Sequence, residues 1–201
     1  MPDRRPSLPQ LAILAALPAL GGCGEFLANQ LASRGGDTAG DQGSYQVIFI
    51  NNTPHEVVFT AGAYDQLDQS SVPRILRFGG EDGADALAGD GQTDIQSLPC
   101  GRVFAIGTAE LGAFVEQNGA RDGSNSAIEN PVVEDTEFFS TDEDDPDAGP
   151  TSAGIAPPFE ALLGVDFSCN SLVIIRFEFD DFPGNDPFRI TLETIPSDST
   201  R

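Results

Sequence analysis

Apolar residues in this chain fall in short runs separated by turn chemistry. Tyr45-Gln-Val-Ile-Phe-Ile50 is rich in β-branched and aromatic side chains, and so is the stretch from His55 to Thr60. Asn51-Asn52-Thr53-Pro54 lies between them and supplies turn residues, so the two runs read as a β-hairpin. Further strands are expected at Arg74–Phe78, Arg102–Ile106 and Ala161–Phe167. Leu172–Phe179 reads LVIIRFEF. Val173, Ile175, Phe177 and Phe179 share one face, while the other changes from apolar (Leu172, Ile174) to charged (Arg176, Glu178). Phe188, Ile190 and Leu192 alternate with Arg189, Thr191 and Glu193, the period of two of a half-buried strand. An antiparallel pairing of these last two strands places Glu178 opposite Arg189. One helix is predicted. Thr108 caps it, Leu111, Phe114 and Val115 share a face, and Asn118-Gly119 stops it.

Strands separated by regular turn signals, with no alternation of strand and helix, predict a mainly β fold. The expected form is a single antiparallel β-sandwich or barrel-like domain over residues 44–196, with one short helix and long acidic loops. Residues 197–201 are expected as a disordered tail. A domain of this size buries roughly two-thirds of its unfolded surface, enough for a core.

The N-terminus has a different pattern. Arg4 and Arg5 precede an apolar run of ten residues, Leu11 to Leu20, interrupted by Pro18. A run this short does not span a ~30 Å hydrocarbon core, and its charged start describes a secretory signal peptide. Leu20-Gly21-Gly22-Cys23 then follows. This string resembles the lipobox of bacterial lipoproteins, a resemblance confined to residues 1–23. It implies cleavage of residues 1–22 and lipidation of Cys23. It also implies a membrane anchor made of acyl chains, each buried CH₂ adding ~0.8 kcal/mol. Gly24, where the familiar sorting rule would place Asp for inner-membrane retention, favours the outer membrane or the periplasmic or cell-surface face. Residues 23–43 read as a lipid-anchored tether, Gly-rich from Arg34 to Gly43 and flexible by composition. Arg4-Arg5 also admits a twin-arginine export reading, which Pro6 disfavours.

Setting Cys23 aside leaves Cys100 and Cys169. Two thiols in an exported chain read as one disulfide. The loop-entropy relation gives roughly 4 kcal/mol for a loop of that size.

The chain carries 32 acidic and 10 basic residues, with a formal net charge of −22. No basic patch is available to neutralise phosphates, which excludes nucleic-acid binding. A lone histidine, His55, leaves no Cys/His zinc set and one candidate imidazole base. No nucleophile elbow and no phosphate-cradling glycine motif is present. Removal of residues 1–22 leaves 179 residues with a side-chain charge of −23. Nine acidic residues lie between Glu129 and Asp147, read as an extended loop. Val132, Val133, Phe138 and Phe139 suggest that parts of this stretch pack on the body.

Two other acidic segments carry candidate metal ligands. Gly80 to Asp94 resembles one and a half degenerate nonapeptides of the calcium-binding β-roll, with Asp82, Asp85, Asp90 and Asp94 as possible ligands. Asp180, Asp181 and Asp186 flank the Pro183-Gly184 turn and present a second candidate set. No other cofactor is implied. The reading is therefore a lipid-anchored, exported envelope protein with a non-catalytic binding or structural β domain and a protein or divalent cation as possible partner. The alternatives are a calcium-binding extracytoplasmic domain and a carboxylate-dependent hydrolase. A carbohydrate-binding platform is disfavoured by two Tyr and no Trp.

Overall fold

A computed structural model of the chain describes residues 43–68, 70–79, 85–140, 149–180 and 187–196. All of them fall in one unit, Gln42–Arg201. The expected signal peptide, tether (up to residue 42) and tail (after Pro196), with Cys23, lie outside the described residues, as do Asp82, Asp181 and Asp186.

The strands are β1 (Ser44–Asn51), β2 (Glu56–Tyr64), β3 (Arg74–Phe78), β4 (Gln96–Pro99), β5 (Val103–Ile106), β6 (Glu137–Ser140), β7 (Thr151–Ile155), β8 (Phe159–Leu162), β9 (Ser171–Phe179) and β10 (Phe188–Pro196). The helix α1 (Ala109–Asn118) follows β5. One sheet has the order β10-β9-β1-β4; the other runs β7-β6-β2-β5-β8, with β3 also paired to β2. The two sheets pack face to face as an open sandwich, as the strand pattern predicted.

Three details differ from the sequence reading. The first is the expected hairpin between residues 45–50 and 55–60. β1 and β2 lie in different sheets, so their connection is an arch that crosses the sandwich. Strand propensity plus a turn motif does not distinguish the two, because both need the same residues. The second is that the sandwich is not wholly antiparallel: β1 runs parallel to β9, with Val47 opposite Val173 and Phe49 opposite Ile175. The third is the strand expected at Ala161–Phe167. It is displaced to Phe159–Leu162, because a turn begins there. Leu162 N–H donates to the Asp166 carboxylate at 2.8 Å, and Gly164 takes a left-handed φ of 82°. Part of the acidic stretch 129–147 is also strand: β6 buries Phe138 completely.

β9 and β10 pair in the predicted register, and Arg189 Nε meets Glu178 at 2.9 Å. The helix matches as well. Thr108 Oγ1 accepts from Leu111 N–H at 3.1 Å, and the Gly119 N–H closes the other end on Val115.

The main core lies between the sheets. Tyr45, Val47 and Phe49 from β1 and Val173, Ile175 and Phe177 from β9 meet Val57, Phe59 and Ala61 from β2 and Phe104 from β5. A second, smaller core lies on the far side of the six-stranded sheet, where Leu111 and Val115 of α1 cover Tyr64, Ile75, Val103 and Ala105. β5 is therefore buried at all four positions and β2 from Phe59 to Tyr64. This double burial explains the continuous apolar runs there in place of strict alternation. Gly62 lets the helix approach. A Cβ on it would lie 2.9 Å from Leu111 Cδ1 and 3.0 Å from Ile75 Cγ2. Gly62→Val should overpack this contact and lower stability by ~1–3 kcal/mol. Thermal unfolding reads it; an unchanged Tm would mean that α1 does not sit on β2.

Both tyrosines are buried. The Tyr45 hydroxyl has no hydrogen-bond partner among the described residues, and burial pushes its pKa up. Burial also pushes Tyr64 up to about 12, and its hydroxyl donates to Glu160 at 3.2 Å. The folded chain thus holds protons that the unfolded chain releases from pH 10.0 upward. This contribution to stability is complete below that pH and is lost as pH rises from there through about 12. Tyrosinate absorbance in an alkaline titration should therefore appear together with unfolding, monitored by circular dichroism. Tyrosinate appearing near its ordinary pKa in a still-folded protein would contradict the burial.

Candidate functional site

The polar groups concentrate at two ends of the sandwich. At the first end the chain crosses from β1 to β2. Asn51 closes β1 and is fully buried. Its Nδ2 donates to the carbonyls of His55 (2.7 Å), Ala88 (3.0 Å) and Leu87 (3.2 Å). Its Oδ1 accepts from Thr53 N–H at 3.1 Å and Thr53 Oγ1 at 2.8 Å. A buried amide is tolerated only when its donors and acceptors are met, and here they are.

The strap Leu87–Thr93 runs over this arch. Leu87 exchanges both backbone bonds with Val57 of β2. Gly91 O accepts from Asn51 N–H at 2.8 Å, and Thr93 N–H donates to Phe49 O at 3.0 Å. The strap therefore bridges an edge from one sheet to the other. Its pairings with Val57 and Ile50 are antiparallel, unlike the parallel coils of a β-roll. Gly89 is required for the approach, because a Cβ there would lie 2.7 Å from the Pro54 carbonyl carbon and oxygen.

His55 sits on the flank of the arch. Its Nδ1 lies 2.9 Å from Ser140 Oγ at the end of β6. Its ring meets Phe179 and Phe188 edge-on, with centroids 5.8 and 5.6 Å away. Phe188 in turn stacks on Phe138 at 4.0 Å. Among the described residues no carboxylate is bonded to the imidazole, so the pair lacks the orienting acid of a nucleophile–base–acid triad. What the arrangement does is pin β2 to the ends of β6, β9 and β10.

Of the candidate metal ligands, Asp85, Asp90 and Asp94 are exposed along and beside the strap, and Asp180 pairs with Arg189 at 3.4 Å. Among the described residues no three His, Cys, Asp or Glu side chains come together as a metal site. Two carboxylates, exposed Asp68 and half-buried Asp122, titrate below the usual range. The cause is local: Ser70 donates to Asp68 from its hydroxyl and backbone, and Asp122 accepts from the Ser124 hydroxyl and the Ser126 N–H. These are loop closures.

The second end holds the cysteines. Cys100, after β4, and Cys169, before β9, form a disulfide with their Cα atoms 5.8 Å apart. The start of β1 runs beside this bridge. Gly43 O accepts from Cys100 N–H at 2.9 Å, and Ser44 O accepts from Asn170 N–H at 2.8 Å. An open groove of about 420 Å³ lies alongside, lined by Ser44, Gln46, Asn170, Ser171, Leu172, Ile195 and Pro196. It contains no titratable side chain. Asn51 and Ser140 are the polar residues that the sequence did not single out. The Asn51-Asn-Thr-Pro54 motif was its only signal for the former, and nothing local marked the latter.

No family model, no curated protein and no solved structure matches this chain.

Asn51→Ala would take one hydrogen bond from each of three carbonyls and from the Thr53 hydroxyl, and would strand the buried Thr53 N–H. A stranded buried donor costs ~1–3 kcal/mol, so a loss of at least ~1 kcal/mol is expected in denaturant titration. A loss under ~0.5 kcal/mol, the usual range for surface changes, would mean that the arch does not depend on this amide.

Proposed function

We propose that this chain is an exported envelope protein, anchored by lipid at Cys23, whose β domain acts as a non-catalytic binding or structural module. The observation that carries the reading is the string Leu20-Gly21-Gly22-Cys23 placed directly after a short apolar run. The joined Cys100–Cys169 pair supports it, because disulfides persist in oxidising compartments. On this reading the acidic surface keeps the domain soluble and repels other acidic macromolecules.

Cell fractionation tests the anchor. The wild-type protein should partition with membranes and incorporate labelled fatty acid. Cys23→Ser should lose the label and move to the soluble exported fraction. Retention of the unlabelled variant on membranes would overturn lipid anchoring.

A further inference from the structure

The four-stranded sheet ends on a long, open edge. β10 pairs with β9 over nine residues without a register shift. Among the described residues, no strand lies against its other side. Among the described residues, no backbone group from Arg189 to Ile195 bonds outside that ladder. Other edges are less inviting: β4 and β8 have four residues each, and β7 is five residues long next to a register shift in its own ladder. An exposed edge normally carries some device against pairing, such as an inward charge, a bulge or a proline. β10 has no bulge, inward charge or proline until Pro196 at its end; its charges, Arg189 and Glu193, lie on the outer face.

The side chains along β10 are arranged symmetrically. Arg189 and Glu193 lie on the outer face, two residues either side of Thr191. Ile190 and Leu192 point inward against the core, yet stay only partly buried because the sheet stops there. If a second β10 is laid antiparallel with Thr191 opposite Thr191, Arg189 of each copy faces Glu193 of the other. Ile190 then faces Leu192 in the same way. Opposite charges and apolar pairs at directly opposed positions are what stabilise an antiparallel ladder. A two-fold axis through Thr191 needs no other surface to be complementary, since the patch matches itself.

We propose that β10 is a homodimer interface: two copies pair edge to edge about Thr191 and join their four-stranded sheets into one of eight strands. The occupant of the edge is a second copy of this chain. The pairing satisfies the open backbone groups, extends the Glu178–Arg189 ion pair across the junction, and covers Ile190 and Leu192.

The test uses the full chain. Thr191→Cys places a thiol on the two-fold axis opposite its own counterpart, on the outer face, where it disturbs no packing. Mild oxidation should convert most of this variant to a covalent dimer. Ser97→Cys, on exposed β4 at the opposite edge of the same sheet, should stay at the wild-type level. Sedimentation of the wild-type chain in mild detergent should show the protein mass rising roughly twofold with concentration. The proposal stands only if both hold. Cross-linking at position 191 no greater than at 97, or a monomeric mass throughout the concentration range, would overturn it.

Discussion

The fold turns on one crossing. β1 ends in one sheet and β2 begins in the other, with only Asn52 to His55 between them. A chain that bends this sharply inside a sandwich leaves carbonyls and N–H groups facing the interior. The carboxamide of Asn51 meets them, holding His55 on its own arch and Leu87 and Ala88 on the strap. Asn51 and Thr53 are fully buried, so the bonds between them have no solvent alternative, and unmade they would oppose folding. The strap then fixes its own position by pairing with both sheets. One buried amide thus couples two sheets that share no ladder.

The opposite end is held by covalent chemistry. The disulfide joins the end of β4 to the turn before β9, the two strands that flank β1 on either side. β1 therefore sits between two neighbours that cannot separate, and its first carbonyls are taken by Cys100 and Asn170. Between the two ends, packing does the rest. Phe59 stacks on Phe78 with centroids 4.7 Å apart and touches Phe49 and Phe177 across the sandwich. Seven buried phenylalanines supply much of that core, in a chain with no Trp. The charge excess stays outside, on turns, edges and the Arg–Glu pairs of β9 and β10.

Much of the strand content was legible because it is written locally. Phe188, Ile190 and Leu192 alternate with polar residues, so the last strand and its register against Glu178 followed from a period of two. The helix followed from Thr108, Leu111, Val115 and Gly119, all within one local frame. β4, β6 and β7 were not legible. Gln96-Ser-Leu-Pro99 and Thr151-Ser-Ala-Gly-Ile155 have little apolar content of their own, and β6 lies inside an acidic stretch. They are strands because a neighbour offers an edge. The pairing of the cysteines was legible by elimination, since setting Cys23 aside leaves only Cys100 and Cys169. The grouping of His55 with Ser140 was not, since 85 residues separate them.

The sequence by itself determined that this is an acidic β protein with one capped helix and a bridged cysteine pair. These are properties of composition, period and local motif, which need no knowledge of distant partners. Only the tertiary structure decided which sheet each strand joins. It made an arch of the expected hairpin, set β1 parallel to β9, and among the described residues left β10 at the end of its sheet. The physical reason is that strand pairing is satisfied equally well by many partners. Burial on both faces of β2 and β5, and the polar closure at Asn51, select one arrangement, and those conditions arise only once the whole chain is in place.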